Sequence, residues 1–196
     1  MRHGTTDASA SYLVNGDPNV QLALNETGRG QSRALGVAPW VATVRTCLTS
    51  RFPRARETAD LAVGAQLPAR YEEGRLDEVD YGAFEGGPWM VYGAWLDKYG
   101  RHVRPPGSRE SLHEASARLV DGLAAALTHP GPRLIVGHGI MCSIVIAALD
   151  GQADLATGLR LPEAPYVTPV ILDDPHLGSL VRQLQGQLAR SVPGKR

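Results

Sequence analysis

Apolar residues recur along this chain in two alternating rhythms. Thr43 to Thr49 is a short run rich in β-branched residues, and Leu134 to Val136 is an apolar run bounded by Pro132 and Gly137. Both have the length and composition of buried strands. Ala69 to Arg75 reads as a further strand and Thr168 to Leu172 as a last one. Between these runs the spacing lengthens to that of a helix. Gln31, Ala34 and Leu35 mark a first helix to about Val37, capped by Asn25 or Thr27; Ala55, Thr58, Ala59 and Ala62 form one stripe of a second, Arg54 to Val63, which Gly64 ends. Trp89, Tyr92 and Trp95 fall three apart in a third, Trp89 to Tyr99. Leu112, Ala115, Leu119, Leu123 and Ala126 keep the 3.6 period in a long helix that Ser108 or Ser111 starts and Pro130-Gly131-Pro132 ends. Ile140 to Leu149 and Leu177 to Ala189 complete the set, while Thr5 to Ala23 and the acidic stretch Leu76 to Pro88 read as loops.

Strands alternating with helices predict an α/β fold whose mostly parallel sheet is covered by helices. At 196 residues the chain is expected to form a single domain, 1–196, and its 43% hydrophobic and 20% charged content is that of a globular protein. Acidic and basic residues balance at 20 each, so no global field draws the chain to nucleic acid or an anionic membrane, and an anion site must be a local cluster. Cys47 and Cys142 lie in apolar stretches and read as small buried side chains. No signal peptide opens the chain and no apolar run approaches the ~20 residues that span a bilayer, so a cytoplasmic location is expected.

Chemistry gathers where such sheets put their ligands, at the carboxyl ends of strands. His3 stands in Arg2-His3-Gly4, Arg54 follows the Cys47 strand by a few residues, and His138 closes the Val136 strand in Gly137-His138-Gly139. A neutral imidazole attacks phosphorus, a guanidinium grips two phosphate oxygens in a fork, and a second imidazole donates to the remaining charge. Helical spacing puts Arg51 beside Arg54 as an assistant and turns Arg56 toward solvent. His138 precedes an apolar helix whose N-terminal dipole favours anions. His102, His113, His129 and His176 have no convergent ligand spacing, so neither a metal nor another cofactor is expected.

The ordered set of segments resembles the histidine phosphatase superfamily, the phosphoglycerate mutase-like proteins. The resemblance rests on Arg2-His3-Gly4, Leu24-Asn25-Glu26-Thr27-Gly28 with Gln31, Ser50-Arg51-Phe52-Pro53-Arg54-Ala55-Arg56-Glu57-Thr58-Ala59, Leu76-Asp77-Glu78 with Tyr81-Gly82 and Phe84-Glu85-Gly86, and Val136-Gly137-His138-Gly139. It spans roughly residues 2 to 149. It implies a three-layer α/β/α sandwich, His3 as the nucleophile, Arg2, Arg54 and His138 as phosphate ligands, and Glu78 as the acid that protonates the leaving group. Asp77, Asp80 and Glu85 crowd that acid, and crowding raises one carboxyl pKa whichever residue acts; Asp80 is the second candidate. Tyr81, Phe84, Trp89, Tyr92 and Trp95 are open between a substrate cleft and core packing.

The leading functional reading is hydrolysis of a small phosphorylated metabolite through a phosphohistidine on His3. A phosphoglycerate mutase-type phosphotransferase is the alternative, disfavoured by Val79-Asp80-Tyr81 after Glu78, where arginines would serve a second anion. A non-catalytic phospholigand-binding protein is the third. Where relatives carry an asparagine a few residues after the histidine, this chain has Thr5-Thr6-Asp7-Ala8-Ser9, leaving Ser9 or Thr6 to make the supporting phosphate contact. In the family the first histidine ends a central strand, so a short apolar strand is expected upstream of Met1. From about residue 150 the tail diverges, with Pro162, Pro165, Pro169 and Pro175 unlike a regular strand-helix ending; it is read as covering the cleft or joining a homodimer.

Overall fold

The computed structural model describes residues 1–64, 69–151 and 161–191. Three short strands, β1 (Thr46–Thr49), β2 (Ala69–Glu72) and β3 (Arg133–Val136), form a parallel sheet in the order β2-β1-β3, with Thr46 level with both Ala69 and Arg133. Side-chain alternation divides the sheet between two cores. Cys47, Leu134 and Val136 pack with Val44, Ala55 and Ala59 on one face, whereas Leu48 and Ile135 face the larger cluster on the other.

Helices cover both faces, which gives the α/β/α arrangement. Their order is α1 (Asp7–Ala10), α2 (Glu26–Leu35), α3 (Pro53–Val63), α4 (Trp89–Tyr99), α5 (Leu112–Ala126), α6 (Gly139–Leu149) and α7 (Asp174–Arg190). α2 packs on α3 along one face, and α5, α6 and α7 pack together on the other. Asn25 caps α2 by accepting from the Gly28 amide at 3.0 Å. For α5 the choice falls on Ser111, whose hydroxyl accepts from the Glu114 amide while Glu114 reaches back to the Ser111 amide, a reciprocal capping box. α6 is buried almost all round, as its unbroken apolar run requires.

Three expectations change. Thr5 to Ala23 is not all loop, because Thr6 and Ser9 cap the single turn of α1. Thr168 to Leu172 forms no strand: Pro169 has no amide to give a ladder, and the chain's pairing here is the single parallel bridge of Tyr166 to Arg2. Pro175 sits in the first turn of α7, where its missing N–H has no partner to lose. Of the divergent tail, residues 152–160 and 192–196 lie outside the described residues. Cys47 and Cys142 are buried free thiols, and burial pushes Cys47 up to about 11. Among the described residues no helix is long and apolar enough to cross a membrane.

The segment that carries His3 is held from both sides. Gly137 N–H donates to the Met1 carbonyl and His3 N–H to the Gly137 carbonyl, both at 3.0 Å, so Met1 to His3 runs parallel to the end of β3. Gly4 N–H then donates to Thr58 on α3 at 2.9 Å. The first turn of α2 lies against the same backbone. A methyl on Gly28 would stand 2.2 Å from the Thr5 carbonyl oxygen, and one on Gly4 would stand 2.7 Å from that of Gly28. The glycines of two separate motifs therefore form one contact. Gly28→Ala is expected to cost about 1–3 kcal/mol through overpacking and to lower the thermal midpoint by about 2–10 °C. Gly30→Ala on the same helix, where a methyl meets open space, should not lower it. Equal midpoints for the two variants would refute the contact.

Candidate active site

Arg54 organises the site. Pro53 starts α3 just beyond the carboxyl end of β1, which places Arg54 in the first helical turn and buries it. Its Nε donates to His3 Nε2 at 3.0 Å, and its Nη2 to His138 Nδ1 at 3.1 Å and to the Asn15 carbonyl at 2.9 Å. Its Nη1 donates to Asn15 Oδ1. The Phe52 ring lies under the guanidinium, 4.4 Å from Cζ. Burial lowers the Arg54 pKa to about 10, against the pull of Glu78, and the side chain stays cationic at neutral pH.

A guanidinium only donates, so each imidazole nitrogen facing it carries a lone pair. His3 therefore holds its proton on Nδ1 and gives it to the Gly4 carbonyl at 2.7 Å. His138, the residue before α6, holds its proton on Nε2 and gives it to Ser50 Oγ at 2.7 Å. The two rings meet edge to face with centroids 5.1 Å apart. Burial first, then the positive charge of Arg54, pushes both histidine pKa values well below the ordinary 6.5. Both are neutral at pH 7.

Arg2 approaches from the segment beside β3. Its Nη1 donates to the Ala164 carbonyl at 2.8 Å and its Nη2 to the Tyr166 hydroxyl at 2.7 Å, with the Tyr166 ring 3.7 Å from Cζ. Its buried Nε has no hydrogen-bond acceptor among the described residues, which leaves a donor for a ligand oxygen. Glu78 lines the same pocket as Arg2, His3 and Arg54. Burial raises its pKa, with the Val79 amide, Arg54 and Arg2 pulling the other way. Arg118 on α5 fixes its backbone by donating to the Asp77 carbonyl at 2.8 Å and the Glu78 carbonyl at 3.3 Å.

The neighbouring carboxylates are engaged elsewhere. Asp80 accepts from the amides of Gly82 and Arg109, and these bonds with the Arg109 charge outweigh burial and hold its pKa below the usual value. It lies outside the lining, so the second candidate acid is not brought to the pocket. Asp77 takes Arg51, with Nε at 2.7 Å and Nη2 at 2.6 Å. The expected assistant of Arg54 is thus an ion-pair partner on the rim of β1, and Arg56 pairs with Glu72 at the surface. Thr6 and Ser9 line the pocket but bond each other. Asn15, twelve positions after His3 and beyond α1, accepts from Arg54, and Glu85 holds Asn15 Nδ2 at 2.8 Å and the Gly16 amide at 2.8 Å. Sequence reasoning missed Asn15, Ser50, Arg118 and Tyr166. A longer search window after His3 would have found Asn15; nothing in the sequence marked Tyr166. Among the described residues no group of three or more His, Cys, Asp and Glu gathers as a metal site.

The aromatic residues divide. Tyr92 is fully buried among Tyr81, Phe84 and Trp95, a core cluster with ring centroids 4.9 to 6.3 Å apart. Tyr81 and Trp89 also reach the pocket, which has a volume of about 360 Å³.

A family model described as histidine phosphatase superfamily (branch 1) matches residues 1–170. The chain is 31% identical over 172 residues to an acid phosphatase of Mycobacterium tuberculosis, covering 82% of this chain and 78% of that one. It is 29% identical over 166 residues to the uncharacterized phosphatase PhoE of Bacillus subtilis, covering 84% and 82%. The crystal structure of the alpha-ribazole phosphatase from Shigella flexneri superposes with a TM-score of 0.65 at 27% identity, covering 78% of this chain and 79% of that one.

Two outcomes follow from this geometry. Asn15→Ala unpins Arg54 and is expected to weaken binding of inorganic phosphate about tenfold or more, read by calorimetry; unchanged affinity would show that Arg54 needs no such support. The second concerns pH. The unfolded chain protonates His3 and His138 near 6.5 while the folded chain holds them neutral, so stability is lost as pH falls from about 6.5 toward their folded values. Each histidine contributes up to about 1.4 kcal/mol per pH unit, and Glu78, with its raised pKa, opposes by one proton at most. Urea unfolding at pH 7.5, 6.5 and 5.5 should show this slope, reduced by about one proton in His138→Gln. A stability independent of pH in this range would contradict neutral, buried imidazoles.

Proposed function

The chain belongs to the histidine phosphatase superfamily, and we propose that it is a phosphomonoesterase working through a covalent phosphohistidine on His3. The observation that carries this reading is the state of the His3 ring: one nitrogen is fixed as a donor to Gly4, and the other keeps its lone pair against Arg54. That is the form of imidazole that attacks phosphorus. Arg2 and Arg54 hold the phosphoryl oxygens and neutralise their charge, and the burial of His3 and Arg54 strengthens each contact. An ester arriving as its monoanion passes its proton to His138 Nδ1, which then donates it to a phosphoryl oxygen in place of accepting from Arg54, and the proton leaves with the product phosphate.

Proton accounting follows from the two shifted groups. His3 Nε2 forms a bond to phosphorus as the bond to the ester oxygen breaks, and protonated Glu78 gives its proton to that oxygen. The Glu78 carboxylate then takes a proton from water as the water oxygen attacks the phosphohistidine. The P–N bond breaks and His3 returns neutral, leaving alcohol and inorganic phosphate. A mutase would have to hold a second anion beside the first. Among the described lining residues the cationic side chains are Arg2 and Arg54, both at the phosphate end, which favours water as the acceptor.

Labelled phosphomonoester should leave label on wild-type protein after rapid quench and none on His3→Ala, which should also lose phosphate release. Release that survives His3→Ala would sink the mechanism. Activity requires neutral His3 and protonated Glu78, so the acid limb should lie below pH 6.5 and the alkaline limb above 4.5. Glu78→Gln should lower kcat about 10²- to 10⁴-fold on an alkyl ester and abolish the alkaline limb.

A further inference from the structure

Beyond the phosphate end, the pocket changes character. Its outer wall on one side is a face of α4, where Trp89, Gly93 and Asp97 recur at every fourth position and line the cavity together. Gly93 leaves open space above the helix, since a methyl there would touch nothing within 4 Å. Tyr12 and Leu13 form another wall, and the rings and alkyl groups of this end are partly exposed: Tyr12 66%, Leu13 37% and Trp89 38%. Exposed large apolar side chains gathered around one cavity are a recognition surface rather than ordinary core.

The backbone holds these side chains in place at some strain. Tyr12 has φ of +55°, a left-handed conformation that disfavours a residue with a bulky side chain. Hydrogen bonds hold it on both sides. Its N–H donates to the Ser9 carbonyl at 3.2 Å, and its carbonyl accepts from the Trp89 amide at 2.8 Å. Leu13 forms an antiparallel bridge with Pro88, and Val14 N–H donates to the Gly87 carbonyl at 2.9 Å. Tyr12, Leu13 and Trp89 are thus anchored to one another through main chain, as strained residues at ligand sites commonly are.

Charge narrows the ligand further. The outer end brings in Asp97 and Glu163, of which Glu163 lies 3.5 Å from Arg2 whereas the exposed Asp97 carboxylate has no hydrogen-bond or ion-pair partner among the described residues. Arg2 accompanies Glu163, and among the described lining residues no Lys or Arg other than Arg2 and Arg54 stands with Asp97. A second phosphate or a carboxylate on the substrate would meet an aromatic wall and a like charge. An apolar ring would meet Trp89 and Tyr12, and a cationic or N–H group on that ring would meet Asp97.

We propose that this site selects phosphomonoesters of ring-bearing alcohols that are neutral or cationic, with Trp89 and Tyr12 flanking the ring and Asp97 taking a donor on it. The proposal rests on the phosphomonoesterase reading for what is cleaved, but the preference itself is a property of binding. Three non-hydrolysable ligands separate the contributions: 2-phenylethylphosphonate, its para-aminomethyl derivative and 2-carboxyethylphosphonate, measured by calorimetry against methylphosphonate as reference. The phenyl compound should bind at least tenfold more tightly than the carboxyethyl one. Trp89→Ala should cut the ratio of phenyl to methyl affinity about tenfold. The amine should bind more tightly than the phenyl compound, an advantage that Asp97→Asn removes. Carboxyethyl binding equal to phenyl, or a phenyl-to-methyl ratio unmoved by Trp89→Ala, would overturn the proposal. Turnover of the matching phosphate esters tells the two readings apart. Phenyl preference without His3-dependent phosphate release leaves the ligand class standing and refutes the hydrolase; release without preference does the reverse.

Discussion

A buried guanidinium with neutral acceptors governs this molecule. Arg54 makes its direct hydrogen bonds to two imidazoles and one asparagine, and among the described residues no carboxylate neutralises it by contact. Taking a cation out of water in this way is costly unless its donors are satisfied. Satisfying them dictates the tautomer of both imidazoles: His3 and His138 must turn lone pairs inward and point their N–H groups at the Gly4 carbonyl and Ser50 Oγ. One unneutralised cation thereby prepares a nucleophile and an anion cradle together.

The fold exists around that constraint. β1 delivers Ser50 and Arg54, β3 delivers His138, and the segment lying along the end of β3 delivers Arg2 and His3. None of these side chains depends on a long flexible arm, because each leaves a strand end or the first turn of a helix. The close contact of Gly4 with Gly28 lets α2 press on the His3 segment without side chains between them, and Thr58 ties the same segment to α3. Glu78 belongs to a less regular part of the chain, and there Arg118 from α5 supplies the rigidity that secondary structure does not.

Electrostatic partnering separates carboxylates that composition makes alike. Asp77, Glu78, Asp80 and Glu85 fall within nine positions, yet Asp77 has Arg51, Asp80 has Arg109, and Glu85 has Asn15 and the Gly16 amide. Glu78 accepts a hydrogen bond from the Val79 amide and faces the pocket. Burial raises the pKa of Glu78 against the pull of its partners, whereas at Asp80 the Arg109 and Gly82 amides and the Arg109 charge outweigh burial and lower it.

Local physics alone determined much of this protein. The 3.6 period of α5, the unbroken apolar run of α6 and the β-branched stretch of β1 fix their elements because burial of one stripe, of all sides, or of a flat ribbon leaves distinct patterns. Strand ends then mark His3, Arg54 and His138 as neighbours before any coordinate is known. The tertiary structure decided what the pattern leaves open. Asn15 lies twelve residues from His3 and Tyr166 more than 160, and each reaches its arginine through turns whose geometry no periodicity encodes. Arg51 and Arg54 share a motif, but one meets Asp77 and the other meets two histidines, since partners are assigned by long-range packing. Sequence specifies which groups can carry charge and proton; only the folded surroundings, through desolvation and the donors that happen to face each group, decide which of them do.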